Sequence, residues 1–169
     1  MQSLKSEMHV HRMRAQEVIS FMLSVTDERY QAWWPGTHLR MHALNDQPGL
    51  GQIVFMDEMV GTRRLRMRWI VTELEPGRIT WQLFGPTRLP CWVSLVVQDD
   101  AQGATIAHTL SAGFHGVLGK LTDPFIRLFL SASFAATLDK HFTTEFSRLP
   151  DLIEALATTP SSQPLPDAA

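Results

Sequence analysis

Two ionisable side chains, His141 and Glu145, lie four residues apart in the segment DKHFTTEFSRLP, residues 139–150. Side chains at positions i and i+4 share one face of a helix. Around this pair the sequence has the three- and four-residue spacing of a buried helical stripe, formed by Phe134, Leu138, His141, Glu145, Leu149 and Leu152. A lone carboxylate among apolar neighbours loses several kcal/mol of hydration unless it is partnered. The pattern therefore predicts that something holds the imidazole and the carboxylate together.

Three interpretations of this pair remain open at the level of sequence. The buried face of the helix could be rotated, so that Phe142 and Phe146 lie inside and the carboxylate lies at the rim. The pair could instead hydrogen-bond internally or with a strand arginine such as Arg66 or Arg68. In the third interpretation both side chains bind a metal ion, because two ligands one helical turn apart form a common half of a coordination sphere.

A metal site would need further ligands from elsewhere in the chain. Glu58 alternates with apolar residues in a predicted strand, and either it or its neighbour Asp57 must point inward. His38 begins a predicted strand directly after WWPG, and His42 is expected on the same strand face. His108 has apolar residues two positions away on each side, which is more typical of a histidine in a core or cavity than of a ligand.

The elements that would position these residues follow from periodicity and turn residues. Helical spacing predicts a helix over 15–24, and Thr26 is expected to cap a second helical segment that ends at Pro35-Gly36. Alternating or apolar runs between turn sequences predict strands at 8–14, 38–45, 51–60, 64–75, 78–84, 91–98 and 104–113. Because the turns between the later strands are short, they predict an antiparallel meander.

The closing element is predicted to be one long helix. Asp123 and Pro124 form a typical helix start, and the helix is expected to run from 124 to about 148, where Pro150 ends or kinks it. The tail TTPSSQPLPDAA has the composition of a disordered end. We predict a single domain over residues 1–157 and a disordered tail over 158–169.

Composition limits the class of protein. The chain has 169 residues, of which 44% are hydrophobic and 19% charged, with a formal net charge of −2. This gives no reason to expect a nucleic-acid or anionic-membrane partner. One cysteine, Cys91, excludes an internal disulfide and suits a reducing compartment. No signal peptide or membrane span is apparent. The prediction is a cytoplasmic protein, and homodimerisation is left open.

The order of elements predicts an α+β fold. Together with AWWPG, VTELEPGRITWQL and the helix that runs into EFSRL, it resembles the helix-grip fold of the START/Bet v 1 (SRPBCC, polyketide cyclase-like) superfamily over about residues 8–150. The resemblance implies a curved sheet around the long closing helix with a hydrophobic cavity between them. We expect seven residues to line this cavity and bind a ligand, although plain core packing would equally explain the aromatic residues and methionines among them. They are Met56, Met67, Trp69, Trp81, Trp92, His108 and Phe134.

The segments WWPGTHL, FMDE and HFTTEF are similar to a narrower branch, the metal-dependent diacetylphloroglucinol hydrolases. Those enzymes cleave a carbon–carbon bond between an aromatic ring and an acyl group. The resemblance implies zinc, or another divalent transition metal, bound by His38, Glu58, His141 and Glu145. The chain is shorter than those hydrolases and has Trp34 where related sequences often have histidine.

These observations support more than one function. The resemblance implies a metal-dependent hydrolase of a small aromatic or polyketide-like ketone, in which Glu145 or Glu58 acts as general base. The alternative is a non-enzymatic binding or transport protein for a hydrophobic small molecule or lipid, which needs only the cavity. A third hypothesis is a metal-free cyclase or dehydratase that uses an inward acid and His108.

Overall fold

One antiparallel sheet and four helices account for most of the described residues. The computed structural model describes residues 1–114, 116, 119, 124, 126 and 130–158. Its elements are β1 (Gln2–His11), α1 (Ala15–Leu23), α2 (Asp27–Trp33), β2 (His38–Ala43), β3 (Ile53–Val60), β4 (Arg63–Glu75), β5 (Arg78–Phe84), β6 (Arg88–Asp99), β7 (Gly103–Ala112), α3 (Ala132–Ser147) and α4 (Leu149–Thr158). This is the predicted α+β helix-grip architecture.

The strand order is β1-β7-β6-β5-β4-β3-β2, with every neighbouring pair antiparallel. Strands β2 to β7 form the predicted meander. The prediction of a short first strand at 8–14 was wrong at both ends, since β1 pairs with β7 from Gln2 to His11. Arg12 leaves the strand with φ of 59°. The early half of β1 is polar and lies at the sheet edge, so its hydrophobic pattern is weak.

A register shift between β2 and β3 changes which side chains face inward. His38 lies directly opposite Glu58, but by Arg40 the partner is Asp57, so an extra residue bulges out of β2. After the bulge, each side chain of β2 points to the opposite face of the sheet from the one that simple alternation would give it. His42 therefore does not share the face of His38, and its Nδ1 lies 2.8 Å from Asp27 Oδ1 instead.

The short helix α2 places the start of β2. The hydroxyl of Thr26 accepts a hydrogen bond from the Arg29 N–H at 3.4 Å, which is the predicted N-cap. After the helix, Gly36 adopts φ of 79° in the turn, and the His38 N–H donates to the Trp34 carbonyl at 2.9 Å. This turn carries the chain directly from α2 into the histidine that begins β2.

The closing helix is interrupted, which corrects the prediction of one helix over 124–148. Ser131 has extended backbone angles (φ −62°, ψ 159°), and its hydroxyl caps α3 by accepting from the Phe134 N–H. Pro124 and Ile126 are helical, and Asp123 lies outside the described residues. A second break at Arg148 separates α3 from α4, whose first turn contains Pro150, where proline is tolerated.

The chain end and the domain boundary stay predictions. Helix α4 ends at Thr158, and the rest of the predicted tail, 159–169, lies outside the described residues. Within the part of the chain that the structure describes, no helix has the length and apolar character needed to cross a membrane.

The core lies between the concave face of the sheet and the helices. The buried face of α3 is wider than a single stripe, because it contains Phe134, His141, Phe142 and Phe146 together. The rotated-face interpretation is thus right about both inner phenylalanines, yet His141 also remains buried with 7% of its surface exposed. A polar cluster therefore lies inside the apolar core.

Candidate functional site

Three elements bring four predicted site residues together. Strands β2 and β3 place His38 and Glu58 opposite each other, and α3 crosses them with His141 and Glu145 on one face. One potential ligand atom from each of His38, Glu58 and His141 lies within 4.8 Å of the others. These residues are separated by up to about a hundred positions in sequence, so the fold alone creates the cluster.

The spacing of the donor atoms suits one shared cation. His38 Nε2 lies 3.3 Å from Glu145 Oε1, and His141 Nε2 lies 3.6 Å from Glu58 Oε2 and 3.9 Å from Glu145 Oε2. Donor atoms about 2.0–2.2 Å from a tetrahedral zinc ion stand roughly 3.3–3.6 Å from one another. His38, Glu58 and His141 thus form a donor set of two imidazoles and one carboxylate that fits zinc or another divalent transition metal. Glu145 lies next to this set and approaches the two histidines through different oxygens.

The ring of His38 has a defined orientation. Its Nδ1 lies 3.2 Å from the carbonyl oxygen of Tyr30. Because a carbonyl can only accept, Nδ1 carries a proton and donates, so Nε2 is the ring nitrogen that faces the cluster. That Nε2 is buried without a hydrogen-bond partner and faces Glu145. A cation between this nitrogen and the carboxylate would bind both.

The ring of His141 has a similar unpartnered atom. Its Nε2 is also buried with no hydrogen-bond partner. Burial by itself would lower the pKa of His141, but the nearby carboxylates of Glu58 and Glu145 outweigh burial and raise it. Burial would likewise raise the pKa of Glu58, yet His141, the Tyr30 hydroxyl and His38 together lower it. The cluster therefore stabilises ionised carboxylates when a positive charge lies beside them.

Aromatic side chains shield the cluster from water. The ring of Trp34 lies 4.8 Å from that of His141, and the Arg148 guanidinium lies 4.9 Å from the Trp34 ring in a cation–π contact. Trp33 fixes α3 from the same side, since its indole N–H donates to the Glu145 carbonyl at 2.8 Å. The side chains of His38 and Glu145 are consequently 0% and 14% exposed.

A cavity of about 210 Å³ opens beside this cluster, between the sheet and α3. Glu58, His141 and Glu145 line it, whereas His38 is fully buried outside its lining. An apolar cavity of about 150 Å³ is large enough for benzene, so this one has room for one substituted ring. Of the residues predicted to line it, six do so: Met56, Met67, Trp69, Trp81, His108 and Phe134.

Trp92 is the exception among the predicted lining residues. The inward side chains of β6 are Cys91, Val93 and Leu95, so strand alternation directs Trp92 to the other face of the sheet. The prediction that Trp92 lines the cavity was wrong because it was based on residue type and ignored which face of the strand the side chain occupies.

His108 lies in the cavity wall outside the four-residue cluster. Its ring stacks on Phe142 with the centroids 5.0 Å apart, and its Nδ1 is buried without a hydrogen-bond partner. Burial lowers the pKa of His108 to about 4. The ring is therefore neutral near pH 7, which makes it a polar contact for a cavity ligand and not a cation.

Asp57 and the strand arginines form a separate ion-pair cluster. Arg64 donates two hydrogen bonds to Asp57 at 2.8 Å each, and Arg66 adds a third at 3.2 Å. The hydrogen bonds from Arg64 lower the pKa of Asp57. The side chains of Arg64 and Arg66 are 47% and 61% exposed, so the interpretation that Arg66 partners His141 or Glu145 is wrong.

Sequence reasoning missed Tyr30 as a site residue. Its hydroxyl donates to Glu58 Oε2 at 2.6 Å, and its ring stacks on His38 with centroids 3.9 Å apart. A signal was present, because Tyr30 and Trp33 are three apart on one face of a helix and both are buried. Aromatic residues at this spacing are ordinarily core, and nothing local distinguishes a tyrosine that touches a distant carboxylate.

The titrations of these groups predict how the stability of the metal-free protein depends on pH. The pKa of His141 is raised above 6.5, so its contribution is complete below pH 6.5 and is lost as the pH rises through the folded value. The pKa of His108 falls from 6.5 to about 4, so protonation of the unfolded chain lowers stability as the pH falls from 6.5 to about 4. Glu58, with its pKa lowered from 4.5, loses its contribution at still lower pH. We expect the free energy of unfolding to peak near pH 6.5, as measured by urea titration.

A single substitution tests the acid side of this profile. His108→Phe removes the histidine that must stay neutral in the fold, and the loss of stability between pH 6.5 and about 4 should shrink by on the order of 2–3 kcal/mol. His11→Phe, at an exposed histidine, is the matched control. If His108→Phe loses as much stability between pH 6.5 and about 4 as wild type does, His108 is not the cause of that loss.

Comparison with known proteins supports the architecture. No protein-family model matches the sequence, and no curated protein matches it. Solved structures do match. The structure is similar to TTHA0849 from Thermus thermophilus (TM-score 0.62, 10% identity, 94% of this chain and 100% of that one). It is also similar to the KanY protein (TM-score 0.62, 12% identity, covering 90% and 97%) and to major latex-like protein 151 from Panax ginseng (TM-score 0.54, 8% identity, covering 83% and 96%).

The chain has the helix-grip fold of Bet v 1-like proteins. These similarities extend over most of each chain and include the curled antiparallel sheet and the closing helix. At identities of 8–12% they establish the fold alone. The narrower resemblance to the diacetylphloroglucinol hydrolases, and the metal and reaction that it implies, stay predictions.

Proposed function

We propose that this protein is a metal-dependent hydrolase that cleaves a carbon–carbon bond in a small aromatic or polyketide-like ketone bound in its cavity. His38, Glu58, His141 and Glu145 would hold the ion, with zinc as the first choice. The observation that carries the proposal is the buried His38 Nε2, which has no hydrogen-bond partner and lies 3.3 Å from the Glu145 carboxylate.

The position of the cluster favours catalysis over a structural role. A catalytic zinc site needs a coordination position for water or substrate besides its protein ligands, and with all four residues bound this is a fifth position. Here three of the four residues line the cavity, so a molecule in the cavity lies next to the proposed ion. A bound ion there would supply Lewis acidity, which lowers the pKa of a water molecule and polarises a ketone carbonyl.

The two carboxylates are suited to different tasks. Glu58 is held by the 2.6 Å hydrogen bond from Tyr30, so it is fixed in position. Glu145 is 14% exposed and lies near both histidines, but in the described structure its side chain receives no hydrogen bond. A carboxylate that no hydrogen bond holds can accept a proton from water and return it later, so we assign the general-base role to Glu145.

The proposed reaction balances with water as the only co-reactant. Water adds to the acyl carbon, and Glu145 takes one of its protons. Glu145 gives this proton to the ring carbon that bears the acyl group, which converts the phenol to its keto form. The bond between the acyl carbon and that ring carbon then breaks, its electron pair enters the ring as a phenolate (or, in a 1,3-dicarbonyl, an enolate), and the products are a carboxylic acid and the deacylated ring. The apolar walls hold the ring and exclude bulk water.

Glu145→Gln tests the base directly. With zinc at saturation, the turnover of an acylated phenol such as 2,4-dihydroxyacetophenone should fall about 10²–10⁴-fold, as measured by release of acetic acid. Glu75→Gln changes an exposed carboxylate of β4 and should leave turnover unchanged. Equal rates for wild type and Glu145→Gln would contradict the assignment, and no turnover of any acylated phenol by zinc-loaded wild type would contradict the hydrolase.

The cavity also supports the second candidate, a non-enzymatic binder of hydrophobic small molecules. Its walls away from the polar cluster are almost wholly apolar, which suffices to bind a compact aromatic or aliphatic ligand. The His141→Ala, Glu145→Ala double variant separates the two functions. Undiminished ligand binding in this variant, with no turnover by wild type, would favour the binder.

A further inference from the structure

Tyr30 contacts two of the four proposed ligand residues and touches them in three ways. Its hydroxyl donates to Glu58 Oε2 at 2.6 Å, its carbonyl accepts from His38 Nδ1 at 3.2 Å, and its ring stacks on the His38 ring at a 6° interplanar angle. The residue is 1% exposed. Such contacts with side chains from two different strands can couple the positions of both.

The contacts with His38 fix which nitrogen faces the cluster. Rotation of the imidazole by half a turn would replace the bond to the Tyr30 carbonyl with a C–H contact and turn Nε2 away from Glu145. The parallel ring of Tyr30, with centroids 3.9 Å apart, blocks tilting of the imidazole. The carbonyl and the ring plane therefore determine which nitrogen of His38 faces the cluster and at what angle, as partners behind a metal ligand commonly do.

The contact with Glu58 fixes one carboxylate oxygen. At 2.6 Å the hydroxyl makes a short, charge-assisted hydrogen bond. The donor is a hydroxyl with no formal charge, so the contact holds the Glu58 carboxylate in place without an ion pair.

We propose that Tyr30 is a positioning residue that pre-organises His38 and Glu58 for metal binding. The inference rests on the proposed function, since it names what supports the proposed ligands. The backbone carbonyl survives any substitution, and phenylalanine keeps the stacked ring. The hydroxyl is therefore the separable part, and Tyr30→Phe frees Glu58 while it leaves His38 in place.

The test measures metal affinity and not turnover. Zinc affinity is determined for wild type and Tyr30→Phe by competition with a chromophoric chelator at one fixed pH, and visible absorption spectra are recorded with cobalt(II) in place of zinc. We expect Tyr30→Phe to bind zinc about 10–100-fold more weakly. Its cobalt spectrum should differ from that of wild type, because the freed Glu58 changes the ligand field. A merely structural loss of stability would not change that spectrum.

Thr80→Val is the matched control. It also removes one buried hydroxyl without a large change of shape, but that hydroxyl bonds Glu73 and Ser94, remote from the cluster. Its zinc affinity and cobalt spectrum should equal those of wild type. If wild type binds zinc and Tyr30→Phe matches it in both readouts, this inference is overturned while the proposed function stands. If wild type itself binds no metal after reconstitution, the proposed function falls, and this inference falls with it.

Discussion

Replacement of His141 by alanine should weaken zinc binding by more than about 100-fold, which exceeds the effect usual for a residue behind a ligand. The physical reason is the position of His141 Nε2, 3.6 Å from Glu58 and 3.9 Å from Glu145, where it would complete the donor set. Without it, two carboxylates and one imidazole remain. The measurement is chelator competition with purified protein, together with zinc content by elemental analysis.

His108→Ala provides the comparison for this variant. Both histidines line the cavity and both have a buried nitrogen without a hydrogen-bond partner. Only His141 belongs to the group of potential ligand atoms within 4.8 Å of one another, together with His38 and Glu58. The zinc affinity of His108→Ala should stay within a few-fold of wild type. Equal losses in the two variants would show that zinc binding depends on the cavity wall in general, and this would contradict the assignment of ligands.

Substitution of Val93 by tryptophan should abolish binding of a single-ring ketone while the metal stays bound. Val93 lines the cavity, and an indole there would occupy a large part of its 210 Å³. We expect the affinity for 2,4-dihydroxyacetophenone to fall by more than about 100-fold, because the ligand loses the space that its apolar surface would fill. Calorimetric titration of the zinc-loaded protein measures the effect.

The same substitution on the other face of β6 is the control. Val96 is three residues from Val93 in the strand, does not line the cavity and is only partly buried. Val96→Trp should bind the ketone as wild type does. Strong binding by Val93→Trp would show that the ligand site is elsewhere on the molecule.

Most strands could be predicted from sequence because their signals are local. Strand β4 has alternating polar and apolar residues with a clear buried face, and β5 was predicted with the bounds that the structure shows. The early half of β1 was missed for the opposite reason, because it depends on β7, a partner distant in sequence. The break at Ser131 had a local signal, a serine N-cap three residues before Phe134, which was not recognised.

The residues of the candidate site likewise divide into those with a signal in the sequence and those that only the fold brings together. The spacing of His141 and Glu145 is visible within one helix, and family resemblance named His38 and Glu58. No local signal gives the bulge in β2 that separates the faces of His38 and His42, since a bulge is a property of strand pairing. The hydrogen bond from Tyr30 likewise joins residues of α2 and β3 that only the fold brings together.

A single cation among these four residues is the feature on which the proposed function depends. Its most direct test is an anomalous-difference map from crystals of protein reconstituted with zinc, with data collected on either side of the zinc absorption edge. We predict one strong peak about 2.0–2.2 Å from His38 Nε2, His141 Nε2 and an oxygen of each of Glu58 and Glu145. A map with no peak there, or with its peak at other residues, would contradict this prediction.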